Sequence, residues 1–333
     1  MNSEDFYYSE YDHSYFSISP KMLLPEHKIT FSLYLQKNKH FVLYKRKNET
    51  FTLKNKQFLT EQNISAVYVL QSERIQYTGY LEKTLPKALL NTNLSIKERS
   101  ELFYISAIDV MHDIYDCNFT EDKKCVIQKA KHIAKNAVTL LQFENALKSI
   151  SKIIEHDYKT HTHSVNVLVY ATAVFLHLGI RGKKLQDGAT GALLHDLGKI
   201  HVPRKILDKP SFLTDEERQI INTHPLRGLA ACSMTSIPSD AMNIILFHHE
   251  KMDGSGYPCG LTAEEIPLQV RVVTIIDIFD AMSSERPYSR ARRAFDVLDE
   301  MFNTMQDKLD LQILRRFVLV LSQIQASEKD IAI

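Results

Sequence analysis

Histidine and acidic residues that could bind metal cluster in one stretch of this sequence. Nine of the 14 histidines lie between His156 and His249. Neutral imidazole and carboxylate together are the ligands of borderline divalent metals such as iron, manganese and zinc. The candidate ligands, in chain order, are His163, His195, Asp196, His224, His248, His249 and Asp277. Five histidines and two aspartates are too many for one ion, but they suit two ions that share a bridging group.

A pair of ions predicts a particular chemistry. Two metals about 3.5–4 Å apart can hold both the attacking and the leaving oxygen of a phosphoester. Adjacent helical residues point about 100° apart, so His195 can bind one ion while Asp196 reaches between both. The cluster therefore predicts a two-metal site for phosphoester hydrolysis.

The surrounding sequence strengthens this interpretation. The segment ALLHDLGKI places His195 and Asp196 at the end of an apolar helix, which Gly198 then breaks. The segment VVTIIDIFDAM buries Asp277 and Asp280 in an apolar helix, where carboxylates are costly unless they are paired or bind metal. The alternative for Asp277 is a salt bridge on a helix face.

Three segments in order resemble a known family. HDLGK, HHE-x-x-DGSGYP and IIDIFDAMSSERPY are similar to the motifs of the HD-GYP family of HD-domain metal phosphohydrolases, over residues 155–295. The resemblance implies an all-α bundle that hydrolyses cyclic di-GMP to pGpG, with GMP as the alternative end product. It makes the seven candidates the metal ligands and Asp196 the bridge. The implied cofactors are two divalent ions, iron or alternatively manganese, with no organic cofactor.

The same resemblance assigns residues to the substrate. It implies catalytic roles for Asp196 and Lys199, with the lysine facing the scissile phosphate. The implied substrate contacts are Tyr257, Gly256, Arg286 and Arg290. Some members bind a third ion through a glutamate that this chain replaces with Lys159, so we expect two metals. A second departure, Ser289 after the RPY segment, bears on substrate affinity and identity.

Each of these assignments has an alternative. Lys199 could cap the C-terminus of a helix, and Tyr257 could be an exposed side chain in a tight turn. At the level of function, two rivals remain. One is a non-catalytic sensor that binds cyclic di-GMP and signals to a partner; the other is an HD phosphohydrolase that acts on another cyclic dinucleotide.

The positions of glycine and proline predict the elements that carry these residues. Nine of the 10 glycines lie at or after Gly179, and no proline occurs between Pro86 and Pro203, which favours long helices followed by helices joined by loops. We predict an α+β chain. Its parts are a flexible tail (1–16), a small α/β domain (17–92), a helical connector (93–154) and the helical HD-type domain (155–333).

Local patterns predict single elements. FSLYLQ and FVLYKRK form a hairpin that TFTLK could extend, SAVYVL is a further strand, and the residues from Tyr77 to Leu90 are helical. Capping boxes, in which a serine or threonine precedes a glutamate by three residues, predict helices that begin at Ser95, Thr214 and Thr262. Because the small α/β domain has no chemical motif, we predict a regulatory or scaffolding role, as the contact surface for a homodimer or a signalling protein.

Composition excludes several classes of protein. Lys and Arg total 41 against 40 for Asp and Glu, so the chain lacks the basic excess of a DNA-binding protein. The four cysteines form no CxxC pair, which favours a reducing cytoplasm. The uncharged run from Ser164 to Ile180 is marginal for a membrane span, and its polar residues favour a buried core helix.

Overall fold

The computed structural model describes residues 14–116, 123–154, 160–209, 211–233, 235–284 and 292–326. The chain divides into two compact units between Ala88 and Leu89. In the described residues the predicted α+β class is confirmed. The strands and helices are β1 Tyr15–Ile18, β2 His27–Lys28, β3 Leu33–Lys37, β4 His40–Lys45, β5 Thr50–Phe51, α1 Leu53–Glu61, β6 Val67–Leu70, α2 Arg74–Leu90, α3 Ile96–Asp116, α4 Lys123–Leu140, α5 Ala146–Ser151, α6 Thr160–His177, α7 Gly182–Leu194, α8 Arg204–Leu207, α9 Asp215–Ile221, α10 His224–Cys232, α11 Ser239–Phe247, α12 Leu268–Ser283, α13 Ala294–Thr304 and α14 Leu311–Ala326.

The first unit contains an antiparallel sheet in the order β1-β6-β3-β4. The predicted hairpin is confirmed as β3 and β4, joined at Asn38 and Lys39, which have positive φ angles of 51° and 67°. The predicted extension by TFTLK is wrong. Thr50–Phe51 pairs with β2 in a separate two-stranded sheet, and Thr52 and Asn55 form a capping box that begins α1.

The first strand of this unit begins earlier than the predicted boundary at residue 17. Strand β1 begins at Tyr15, inside the segment predicted as a tail, and pairs Tyr15 with Leu70 of β6. These residues join the sheet because Ile18 is buried in its core. Residues 1–13 of the predicted tail lie outside the described residues.

The second unit takes in the helices that the sequence predicts as a connector. The capping box at Ser95 and Glu98 forms and precedes α3. Helix α4 packs against α7 and α3, and α5 packs against α3. The connector is therefore not a separate element, because its helically spaced apolar residues, such as Ile133 and Ile150, are buried inside this unit.

Helix α6 lies in the core of the second unit. Its residues from Thr162 to Phe175 are all buried, and it packs against α7 and α12. Over the described residues, no helix is both long enough and apolar enough to cross a membrane. The predicted core helix is thus confirmed, and its buried polar residues face other helices of the same unit.

The other two predicted capping boxes have different outcomes. Thr214 and Glu217 form both hydrogen bonds of the box, and α9 follows. Thr262 also donates to Glu265, but a turn follows in place of the predicted helix. The next helix, α12, begins only after Pro267, because the residue before a proline is restricted to extended backbone.

Candidate metal centre

Five helices, and the turns that follow two of them, bring the predicted metal ligands together. His163 lies in the first turns of α6, His195 directly follows α7, and Asp277 lies within α12. The remaining ligands are Asp196 after His195, His224 at the start of α10, and His248 and His249 after α11.

A glycine allows two of these segments to meet. A Cβ atom on Gly198 would lie 1.9 Å from the carbonyl oxygen of His224 and 2.6 Å from the amide nitrogen of Gly228. Only glycine therefore lets the turn after Asp196 approach the start of α10 so closely.

The seven candidates form two groups of side chains. The first ligand group is His163, His195 and Asp277, whose ligand atoms lie within 4.8 Å of one another. His163 Nε2 is 3.2 Å from His195 Nε2 and 3.1 Å from Asp277 Oδ1. All three side chains are buried, so this group is a compact N,N,O set.

The second ligand group consists of Asp196, His224, His248 and His249. His224 Nε2 lies 3.1 Å from His248 Nε2 and 3.2 Å from Asp196 Oδ1. His249 is the partly exposed member, and its Nδ1 is 3.8 Å from Asp277 Oδ2. This group therefore supplies three imidazoles and one carboxylate.

Asp196 contacts both groups with different oxygens. Its Oδ1 faces the second group, 3.2 Å from His224 Nε2 and 3.8 Å from His248 Nε2. Its Oδ2 faces the first group, 3.5 Å from His195 Nε2 and 3.7 Å from His163 Nε2. One carboxylate thus lies between two sets of donors, which is the arrangement that a bridging ligand requires.

The hydrogen bonds of the histidines leave their Nε2 atoms as acceptors. The Nδ1 of His195 lies 2.8 Å from the carbonyl oxygen of Ala192, and that of His224 lies 2.8 Å from the carbonyl oxygen of Ile221. A carbonyl can only accept, so each Nδ1 carries the proton and each Nε2 presents a lone pair. His248 has the same arrangement with carbonyl oxygens of the last turn of α11.

Lone pairs that face each other at about 3 Å in a buried site repel unless a cation lies between them. The pair His163 and His195 and the pair His224 and His248 both have this geometry. Two nitrogens that bind one ion at right angles, each about 2.1 Å from it, would lie about 3.0 Å apart. The residues present therefore fit one divalent ion in each ligand group.

Burial favours the neutral imidazoles that metal binding requires. Burial lowers the pKa of His195 and holds that of His248 well below its usual value. It also lowers the pKa of His249 to about 3. Burial alone would raise the pKa of Asp196, but the Lys199 ammonium beside it keeps that pKa well below the usual value. Asp196 is therefore a carboxylate among neutral histidines.

Lys199 lies in the centre and is not a helix cap. Its Nζ is 2.6 Å from Asp196 Oδ2, and its side chain is only 16% exposed. The ammonium is therefore held beside the carboxylate that the two groups share, with a limited opening to solvent through which a ligand could reach it.

The glycine-bearing loop places Tyr257 beside the second ligand group. Its ring stacks on His249 at a centroid distance of 4.7 Å and an angle of 26°, so Tyr257 is not the exposed turn residue of the alternative interpretation. Gly256 is packed against backbone, because a Cβ there would lie 2.4 Å from Glu250 Cα. The buried Glu250 carboxylate accepts hydrogen bonds from the amides of Cys259 and Leu261, at 2.7 and 3.0 Å.

Sequence reasoning assigned no role in the site to four residues that support the centre. Asp280, Asn166 and Tyr104 form a buried chain of hydrogen bonds that ends on His163, and Glu250 holds the loop of Tyr257. Two of these carried a signal, because Glu250 is part of the HHE segment and Asp280 follows Asp277 by one helical turn. Of the other predicted residues, Lys159, Arg286, Ser289 and Arg290 lie outside the described residues.

Comparison with known proteins identifies the family of the helical domain that contains the metal centre. Residues 148–313 match the family model described as HD domain. The chain is 35% identical over 185 residues to a cyclic di-GMP phosphodiesterase of Pseudomonas aeruginosa, a match that covers 55% of this chain and 44% of that protein. It is 36% identical over 151 residues to a 3′3′-cGAMP-specific phosphodiesterase of Vibrio cholerae, which covers 44% of this chain and 33% of that protein.

A solved structure extends the similarity of fold to both units. A protein of Bdellovibrio bacteriovorus described as HDG"Y"P aligns with a TM-score of 0.66 and 22% identity, over 93% of this chain and 100% of that chain. The curated relatives above are matched over less than half of their own lengths. The second half of this chain is an HD domain, and through its HDLGK, HHE and GYP segments it belongs to the HD-GYP family.

Proposed function

We propose that this protein is a two-metal phosphodiesterase that hydrolyses cyclic di-GMP to pGpG, with GMP as the alternative end product. The observation that carries the proposal is the sharing of Asp196, whose two oxygens face two separate groups of buried ligands. A sensor that only binds a nucleotide needs no such pair of groups, whereas phosphodiester hydrolysis uses both ions.

Both ligand groups fit a divalent ion, and we propose iron, with manganese as the alternative. Imidazole suits iron and carboxylate suits manganese, and the two groups together offer five imidazoles and two carboxylates. When bound, the two ions would supply Lewis acidity and lower the pKa of a water molecule.

The side chains around the ligand groups have separate roles in this proposal. Asp196 holds the two groups at a fixed separation. The Lys199 ammonium, which is 2.6 Å from Asp196, would donate to a phosphoryl oxygen and stabilise the charge that develops on it. Tyr257 and the backbone at Gly256 would contact the nucleotide on the side of His249. Arg286 and Arg290 remain proposed phosphate ligands on the resemblance alone.

A second substrate is favoured by one observation. Relatives named for the two nucleotides match this chain at overlapping identities: 36% and 33% for two that are specific for 3′3′-cGAMP, and 35% and 42% for two cyclic di-GMP phosphodiesterases. Identity therefore does not separate the two substrates, which differ in one base. Both belong in the same assay.

The test is hydrolysis by the full chain, prepared without chelator under anaerobic conditions and loaded with ferrous iron or manganese. We expect pGpG, or GMP as the alternative end product, from cyclic di-GMP, followed by chromatography, and slower turnover of 3′3′-cGAMP. Faster turnover of 3′3′-cGAMP would change the assigned substrate. Tight binding of cyclic di-GMP with no product from either nucleotide would contradict the enzyme and leave the sensor.

We propose a regulatory role for the first unit, as the contact surface for a second copy or for a signalling protein. Among the described residues, both groups that could hold a metal ion lie in the second unit. We also propose a cytoplasmic setting: among the described residues Cys232 and Cys259 are free thiols, and reducing compartments keep thiols unpaired.

A further inference from the structure

The histidines of the two ligand groups differ in what holds their Nδ1 atoms. His195, His224 and His248 each donate to a carbonyl oxygen of the preceding helical turn. His163 instead donates to a side-chain carboxylate, with its Nδ1 2.7 Å from Asp280 Oδ2. A carboxylate partner fixes the tautomer and makes the imidazole a more basic ligand than a carbonyl partner does.

Asp280 is itself held in place by a buried chain of hydrogen bonds. Asn166 Nδ2 donates to Asp280 Oδ1 at 3.1 Å, and the Tyr104 hydroxyl donates to Asn166 Oδ1 at 2.9 Å. All three side chains are at most 2% exposed. They belong to α12, α6 and α3, so three helices fix the orientation of one carboxylate against one imidazole.

Charge is also distributed unequally between the two groups. The first group has the Asp277 carboxylate as a ligand and the Asp280 carboxylate behind His163. The second group has three imidazoles and the shared Asp196, and Asp277 approaches it only with Oδ2, 3.8 Å from His249 Nδ1. Lys199 contacts the Asp196 oxygen that faces the first group, which reduces this difference. One ammonium does not cancel the negative charge of both Asp277 and Asp280. Buried charges interact strongly with a cation, so the first group attracts an ion more strongly.

We propose that Asp280 is a positioning residue that makes the first ligand group the tighter of two unequal metal positions. Through His163 it orients one ligand and adds negative charge on one side of the centre only. This inference rests on the two-metal centre of the proposed function, but it concerns the order in which ions are retained and not turnover. At limiting metal, the first group fills before the second.

The experiment measures Mn²⁺ affinity, with free ion followed by electron paramagnetic resonance, in the full chain stripped of metal. Two background variants, each with only one intact ligand group, show to which group a bound ion belongs. His224→Ala removes a ligand from the second group and leaves the first, whereas His195→Ala does the reverse. We expect Asp280→Asn to weaken binding by about 10–100-fold in the His224→Ala background and to leave it unchanged in the His195→Ala background.

Two further variants guard against loss of folding. Tyr104→Phe removes only the hydroxyl that orients Asn166, and we expect a smaller loss of affinity in the His224→Ala background alone. Asp113→Asn is the matched control, because Asp113 is another buried aspartate of this unit, 3.9 Å from Lys129, that belongs to neither ligand group. It should leave both affinities at the level of its background.

The outcomes separate this inference from the function it rests on. Equal weakening in both backgrounds, or none in either for Asp280→Asn and Tyr104→Phe, would overturn the positioning role. A wild-type chain that binds no Mn²⁺ would overturn the metal centre and this inference together. A chain that binds two ions as described, yet hydrolyses neither nucleotide, would overturn the proposed function alone.

Discussion

The buried polar side chains of the two units differ in what they contact. In the described part of the first unit the buried polar residues other than tyrosine are Thr78 and Thr84, and each hydroxyl donates to a carbonyl of its own helix, at 3.0 and 2.8 Å. In the second unit, buried acids and histidines contact residues far away in the chain; His163 and Asp280, for example, are 117 positions apart.

This difference shows where each unit departs from simple packing. A buried threonine whose hydroxyl donates to a carbonyl of its own helix costs little stability, because its polar group is hydrogen-bonded locally. A buried carboxylate or an imidazole that faces another acceptor is costly without a partner. Such groups persist where function requires them, and among the described residues both groups that could hold a metal ion lie in the second unit.

The largest expected effect is that of Asp196→Ala. Removal of the carboxylate that faces both ligand groups should empty at least one metal position and abolish hydrolysis. Elemental analysis and the chromatographic assay measure the two effects. Thr84→Val is the control from the first unit and should change neither. Retention of both ions and of activity by Asp196→Ala would mean that the bridging assignment is wrong.

Lys199→Ala should have the next largest effect. We expect turnover to fall about 10²–10³-fold, as when one transition-state donor is lost, while the metal content stays intact. Binding of cyclic di-GMP should weaken far less, because the ammonium acts on charge that develops in the transition state. Parallel measurement of kcat and of nucleotide affinity checks this. Equal losses in both would make Lys199 a substrate anchor.

Gly198→Ala should destabilise the fold and, as a consequence, disturb the metal site. The added methyl group would lie 1.9 Å from the carbonyl oxygen of His224, so α10 must move away. We expect a loss of about 1–3 kcal/mol in the free energy of unfolding, measured by denaturant titration, together with a lower metal content because His224 shifts. Unchanged stability would show that the two segments do not pack as described.

Gly79→Ala is the matched substitution in the first unit and has the smallest expected effect. Gly79 lies within α2, and a Cβ there would have no atom within 4 Å. Since alanine is the better helix former, we expect a gain of about 0.5–1 kcal/mol. Hydrolysis by this variant should match that of the wild type. If Gly79→Ala lowered the free energy of unfolding, the two glycines would not differ in packing as described.

Sequence patterns identify local elements and motif residues more readily than long-range partners. The hairpin, the strand at Val67–Leu70 and the seven clustered ligands all follow from short segments. The partners of Asp280 do not, because Asn166 and Tyr104 lie on two other helices and nothing near them in the chain marks the contact. Their approach depends on how three helices pack.

Other differences arise where tertiary structure overrides a local signal. The Thr262 amide and hydroxyl donate to the Glu265 carboxylate, as in one half of a capping box, yet Pro267 follows too soon for a helix to form there. Thr50 and Phe51 have the alternation of a strand next to β4 but pair with β2. In both cases the local pattern is present in the sequence, but a neighbouring proline or strand determines which element forms.

The anchoring of the Tyr257 loop by Glu250 has a consequence for the thermodynamics of binding. Two backbone amides of this loop are fixed by one buried carboxylate, and Gly256 is packed against the backbone of Glu250. The conformational entropy of the loop is therefore lost during folding, before any nucleotide arrives. A preorganised loop that already stacks Tyr257 on His249 leaves more of the contact energy available as affinity.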